Sequence, residues 1–211
     1  AAQGKSFCAG ANFGDGRDLA DDGRIPGRSG GSTTAHLYIE AVRLFRTQKP
    51  IVGAIHGPAI GGGLGLALVP DFRVTCPEAR FSANFTRLGF HPGFGLTVTL
   101  PELVGRNNAA LMFYTSRRIK GEEAVRMGLA DVLVPLEQVR GAAQELAREI
   151  AECAPLGVMA TRATLRRGLA DRVRAATEHE LAEQTRLRRT EDFKEGIKAS
   201  AERRVPDFKG R

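Results

Sequence analysis

Three consecutive glycines, Gly61, Gly62 and Gly63, stand where an apolar run (51–60) meets a second apolar run (64–69). Glycine costs about 1 kcal/mol relative to alanine inside a helix, so three at one junction argue for a use of the bare backbone. Amides at a helix N-terminus are unpaired and lie at the positive end of the helix dipole. Without a Cβ they are open to a ligand. Such a turn cradles phosphate, holds a developing oxyanion with donors worth about 2.7–4 kcal/mol each, or lets helix and strand pack closely. The phosphate patterns fit poorly. Leu64-Gly65-Leu66 stands where a phosphate loop needs Lys-Ser/Thr, and residues 79–84 lack the acid that a dinucleotide fold places about 20 positions on. A second turn of small residues, FCAGAN (7–12), allows two strand ends to offer one amide each to a single carbonyl oxygen.

Several elements must position these turns. KSFCAGANF begins as a short strand, and residues 14–33, rich in Gly, Asp and Ser, read as a long flexible loop. A helix is expected from about Thr34, with Leu37, Ala41, Leu44 and Phe45 on one face, ending at Lys49-Pro50. Strands are expected at 51–57, 71–77, 79–84 and 130–135, the first and last buried, with helices at 97–104, 106–115 and 121–128. From 136 onward the pattern is helical: 137–153, 155–168, 171–190 and 191–204. The fold class is α/β. Residues 1–135 form the core and 136–211 a helical extension expected to pack on it and on neighbouring subunits.

Composition narrows the partners. The chain has 211 residues, 42% hydrophobic and 26% charged, and no apolar run approaches the roughly 20 residues that span a bilayer. AAQGKSFCAG lacks the charged-then-apolar layout of a signal peptide. Cys8, Cys76 and Cys153 have neither disulfide nor metal spacing, which fits a reducing, cytoplasmic setting without a bound metal. The net charge of +7 invites an anion, either nucleic acid or a phosphate-bearing small molecule. Yet the arginines of 171–190 alternate with acids, as on a solvated, salt-bridged face. Tryptophan is absent and aromatic residues are few, so stacking platforms for nucleic acid are not expected.

FCAGAN, KPIVGAIHGPAIGGGLGLAL, FRV, ARFSANFTRLGFHPGFGLTVTLPELVG, GEEAVRMGLADVLVP and the closing TEDFKEGIKASAERRVPDFKGR together resemble the crotonase superfamily, the enoyl-CoA hydratase/isomerase group. The resemblance implies a ββα spiral core, a C-terminal helical region that forms trimers or hexamers, and acyl-CoA thioester substrates, with coenzyme A as part of the substrate and no separate cofactor. It makes Ala11 and Gly62 the two oxyanion donors and sets Ala9, Gly61, Gly65, Phe85 and Gly93 beside the substrate. Arg203 falls where relatives carry a cation that reaches CoA phosphate from an adjacent subunit, and otherwise reads as part of a solvated face. It also implies that about fifty residues of the family pattern would precede Ala1.

The departures from that pattern concern the acids. Hydratases of the family carry one glutamate a helical turn after the glycines and a second after the FSAN strand; here those positions are Gly65 and Phe85. The aspartate that some relatives carry eight residues further on is replaced by Gly93. Glycine and phenylalanine cannot move a proton, so hydration by two glutamates is closed. His91, in the loop the resemblance turns toward the acyl group, has two readings. It is either the proton carrier, as an alternative to a water, since histidine is suited to proton transfer near neutrality, or a loop histidine bonded to backbone. Thr86 and Arg87 reach either the pocket mouth or its wall, Asn12 organises the oxyanion turn, and Glu102 is read as a partner for a helix N-terminus. His36 and His56 read as structural or exposed. A crotonase scaffold that only binds acyl-CoA or RNA is the alternative to an enzyme.

Overall fold

The structure is a computed structural model that describes residues 2–10 and 36–211. Helix α1 (Leu37–Phe45) starts at His36, whose Nδ1 accepts from the Tyr38 amide at 3.1 Å. The expected cap, Thr34, lies outside the described residues, and an imidazole takes over the capping. Next come strand β1 (Val52–Ile55), strand β2 (Pro58–Ile60) and helix α2 (Gly62–Ala67). The strand expected at 51–57 is β1, and a second, unexpected strand, β2, follows it before the glycines. At His56-Gly57 the chain leaves one sheet for another, and a proline is tolerated at β2 because it is the first residue of that strand.

The same step recurs at β3 (Phe72–Thr75) and β4 (Arg80–Ser82). β1 pairs in parallel with β3, and β2 with β4, so each turn of the chain adds a strand to both sheets before helices follow. This is the expected ββα spiral. The pairing β4 makes with the two-residue β5 (Ile119–Lys120) is antiparallel and was not foreseen, because two residues carry no periodicity. β6 (Val132–Leu133) joins only the edge of β3, with Leu133 38% exposed, so the buried strand expected at 130–135 is a short edge strand instead. The segment before Gly10 forms one bridge, Cys8 to Ala59, rather than a strand.

The remaining helices are α3 (Leu96–Val104), α4 (Arg106–Thr115), α5 (Gly121–Arg126), α6 (Val139–Ala151), α7 (Pro155–Leu165), α8 (Leu169–Leu187) and α9 (Glu191–Ala201). α6 packs on β1 and β3, α8 on α1 and α3, and α9 on the single turn at Thr86–Leu88. One apolar core, with Ile55, Leu64, Phe81 and Leu100 fully buried, joins both sheets to α2, α3 and α9. The surface of α8 carries the expected ion pairs, Arg174–Glu178 at 2.6 Å and Arg186–Glu183 at 2.7 Å. Its inner face carries what the alternating charges concealed: Glu180 and Gln184, both buried. Glu102 is near the end of α3 and pairs with Arg172 at 2.7 Å, so it caps no helix start.

A polar knot holds α7 to the core. Asp71 accepts from the Ile51 amide (2.8 Å), Arg162 Nε (2.9 Å) and Arg166 (2.8 Å), and Arg162 also reaches the Thr47 carbonyl. Burial alone would raise the Asp71 pKa, but the Ile51 amide and the two guanidinium groups outweigh it and hold the carboxyl below its ordinary value. Asp71→Ala leaves Arg162 buried without its partner and is expected to cost about 3–5 kcal/mol in urea unfolding at pH 7. Because the folded pKa is depressed, the contribution is complete above the unfolded value of about 3.9 and is lost as pH falls from there through the folded value. The gap in stability between wild type and Asp71→Ala should accordingly close below about pH 4. A gap that does not change with pH would exclude this role.

Candidate active site

Gly61 enters α2 with φ +57° and ψ −120°, a left-handed backbone that favours glycine. Its amide donates to the Ser82 carbonyl at 2.9 Å, which ties the turn to the end of β4. Gly62 is then the first helical residue, and its amide has no acceptor among the described residues. Hydrogen bonds from Cys8 N to the Pro58 carbonyl and from Ile60 N to the Cys8 carbonyl, both 3.0 Å, lay the other small-residue turn beside β2. A Cβ on Gly10 would stand 3.9 Å from Gly62 N, and one on Gly63 would run into the Cys8 carbonyl. The glycine cluster thus serves close packing at Gly63, a special dihedral at Gly61 and an open donor at Gly62.

That donor opens into a cleft of about 280 Å³ whose walls include Ala9, Tyr38, Gly61, Gly62, Phe85 and Arg188, with Ile197 and Ser200 of α9 closing one side. Ala9, Gly61, Gly62 and Phe85 are therefore brought together. Ala11 lies outside the described residues, as does Asn12. Phe85 is 3% exposed and meets Phe90 edge-on at 5.5 Å, giving the cleft an aromatic wall at one of the two glutamate positions.

The other two positions at which the resemblance expects an acid are sealed. A Cβ on Gly65 would stand 2.6 Å from the Phe94 side chain, and one on Gly93 would stand 2.5 Å from the Tyr38 ring and 2.6 Å from Gln184 Nε2. Phe94 adopts φ +66°, rare for a non-glycine residue, to lie over Gly65. Neither Gly65 nor Gly93 lines the cleft. His91 is not part of the lining either: its Nδ1 donates to the Pro92 carbonyl at 2.8 Å and its ring faces His179 at 6.0 Å. Thr86 is held by the Phe113 carbonyl at 2.5 Å and by Ser116 at 2.9 Å, which makes it wall. His56 binds the Gly4 carbonyl at 2.9 Å and is structural.

Two cleft residues escaped the sequence reading. Tyr38, from α1, sets its hydroxyl 2.9 Å from where a Cβ on Gly62 would be. Its ring is fixed edge-on between His36 (5.0 Å) and Phe94 (5.3 Å). Burial pushes its pKa up to about 12, with Arg188 pulling it partly back, so the phenol is a proton-bearing donor at neutral pH. The signal available was a tyrosine on the apolar side of a helix, which reads as core. Arg188 lies just beyond the end of α8 with its guanidinium 5.7 Å from the Phe90 ring centre. Its Nε is buried with no partner, and it forms no ion pair among the described residues. In the sequence RLRR nothing separates it from its exposed neighbours.

Arg203 lies in an adjoining cavity of about 800 Å³, which shares Asn84 and Ser200 with the cleft and also holds Arg87, Arg117 and Arg118. No acid lines it. Arg204 lines it too but is committed to Glu195 and Glu202. Among the described residues no three His, Cys, Asp or Glu side chains gather as a metal site, and no helix is long and apolar enough to cross a membrane.

Comparison with known proteins agrees with this architecture. The family model for enoyl-CoA hydratase/isomerase matches residues 1–211. The chain is 33% identical over 208 residues to a short-chain-enoyl-CoA hydratase of Clostridium acetobutylicum, covering 98% of this chain and 77% of that protein. It is 34% identical over 209 residues to a carnitinyl-CoA dehydratase of Proteus mirabilis, covering 97% and 77%. Among solved structures, an enoyl-CoA hydratase/isomerase from Pseudoalteromonas atlantica superposes with a TM-score of 0.82 at 27% identity, over 99% of this chain and 79% of that one. With the spiral of paired strands and the match over its whole length, the chain belongs to the crotonase, or enoyl-CoA hydratase/isomerase, family of acyl-CoA enzymes.

Proposed function

We propose that the cleft binds the thioester of an acyl-CoA with its carbonyl oxygen on the Gly62 amide, and that the enzyme works by stabilising the thioester enolate without the two-glutamate apparatus. The observation that carries this reading is an unpaired helix-start amide in a cleft whose acid positions are filled by Phe85 and covered by Phe94. Ala11 is proposed as the second amide donor, Ala9 as part of the thioester wall, and the cavity with Arg87, Arg117, Arg118 and Arg203 as the place for CoA phosphates. Enolate charge in a site shielded from water favours donors already in place. The Tyr38 phenol stands beside Gly62 and supplies a third donor or the proton that the enolate takes up. His91, bonded to backbone away from the lining, is the weaker candidate for that proton. Homo-oligomerisation is proposed from α7, where Leu156 and Leu165 are 80% and 82% exposed beside an apolar groove that includes Ile150 and Val158.

Three outcomes are expected from a panel of CoA thioesters read by mass spectrometry. Gly62→Pro deletes the donor at a helix start, where proline is tolerated, but also sets a Cβ against the Tyr38 hydroxyl. It is read against Gly62→Ala, which adds the Cβ and keeps the amide; turnover of the proline variant should be about 10²–10³-fold the lower of the two. Equal turnover of the two would remove Gly62 from the mechanism. Tyr38→Phe should lower turnover about 10²-fold or more while His91→Ala stays within about twofold; the reverse order would return the proton to His91. Gly65→Glu should not confer enoyl-CoA hydration, because Phe94 occupies the space the new side chain needs.

A further inference from the structure

Arg188 is the one described cationic residue that lines the thioester cleft, and it forms no ion pair among the described residues. Its guanidinium lies at the Phe90 ring, its Nε is buried and unpartnered, and the nearby walls are Phe85, Leu88, Phe90 and Ile197. A buried donor without an acceptor is costly, and a wall built for a plain alkyl chain has no use for one. The cost is removed if the ligand brings the acceptor. The phosphates of CoA have their own acid-free basic cavity next door, lined by four other arginines without ion pairs among the described residues. The anion for Arg188 must therefore come from the acyl end of the ligand.

We infer that the acyl group of the substrate carries a carboxylate that Arg188 receives, beside the apolar wall of Phe85, Leu88, Phe90 and Ile197. This deepens the thioester reading above and rests on it. A carboxylate takes the fork of a guanidinium with two parallel hydrogen bonds, while a methyl group of the same size leaves it unpaired. Arg188 thus acts as a selector for dicarboxylic acyl groups against ordinary fatty acyl groups. With about 280 Å³ available, the acyl group is a few carbons long. The carboxylate is bound and kept rather than expelled as carbon dioxide, because a guanidinium stabilises the anion before reaction more than the neutral product it would become.

The test is calorimetric binding of three probes to the full chain: glutaryl-CoA, 5-methylhexanoyl-CoA, which replaces the carboxylate by an isopropyl group of similar shape, and CoA alone. Wild type is expected to prefer glutaryl-CoA by about tenfold or more. Arg188→Met should abolish that preference and leave CoA affinity unchanged, and Arg188→Lys should retain part of it, with circular dichroism confirming that both variants fold. Equal binding of the two esters by wild type would overturn the inference while leaving the thioester reading intact. Loss of CoA affinity in Arg188→Met would overturn it too, by giving Arg188 to the phosphates. If no CoA ester binds, both readings fall. Release of carbon dioxide from a 2-carboxyacyl-CoA such as malonyl-CoA would overturn the claim that the carboxylate is kept.

Discussion

The carboxylate of Glu180 holds the shape of this active site. It accepts from the Gly95 amide at 2.7 Å, the Thr97 amide at 3.0 Å and the Thr97 hydroxyl at 2.6 Å, and so caps α3 from a helix more than eighty residues away. Gly95 has no side chain to cap its own helix, and a Cβ there would press on Val173 of α8 at 2.6 Å. One turn further along α8, Gln184 donates to the His91 carbonyl at 2.8 Å. Three side chains of one helix thus fix the turn at 91–95. Hydrogen bonds to a buried charge of this kind are worth about 1.5–3 kcal/mol each, enough to hold Phe94 in a left-handed backbone that costs about 1–3 kcal/mol.

What that turn carries is the chemistry of the site by exclusion. Phe94 sits on Gly65 and Tyr38 sits on Gly93, so two glycines that look like lost acids are also the only residues that fit beneath those rings. A larger side chain at either glycine would meet the Phe94 or Tyr38 ring, so the same packing fixes the tyrosine whose hydroxyl stands beside Gly62. The helix that clamps the turn also ends by presenting Arg188 to the cleft, so the cap, the lid and the cationic wall share one rigid element.

The charge of the chain divides along the same lines. Ion pairs on the outer face of α8 account for several arginines and contribute little, since exposed pairs are worth about 0–1 kcal/mol. Asp71 with Arg162 and Arg166 is a structural knot. Arg87, Arg117, Arg118 and Arg203 around one cavity and Arg188 in the next form no ion pair among the described residues. Part of the positive charge of the chain therefore lies around the two cavities, while other cations such as Arg106, Arg126 and Lys194 lie elsewhere.

By itself the sequence determined the ordered run of strand, glycine turn and helix and the family pattern. These features are local: a glycine cluster after an apolar strand has few physical uses. It also placed the C-terminal helices to within two or three residues at each end, because their periodicity is long. It did not show that residues 58–60 form a strand of a second sheet, nor the β5 pairing, since both depend on partners distant in the chain. Tyr38, Glu180, Gln184 and Arg188 were legible only as core or as solvated face. Only the tertiary structure decided which of them meet at the turn 91–95 and the cleft, because a side chain's work there depends on what packs against it from across the fold and not on its neighbours in sequence.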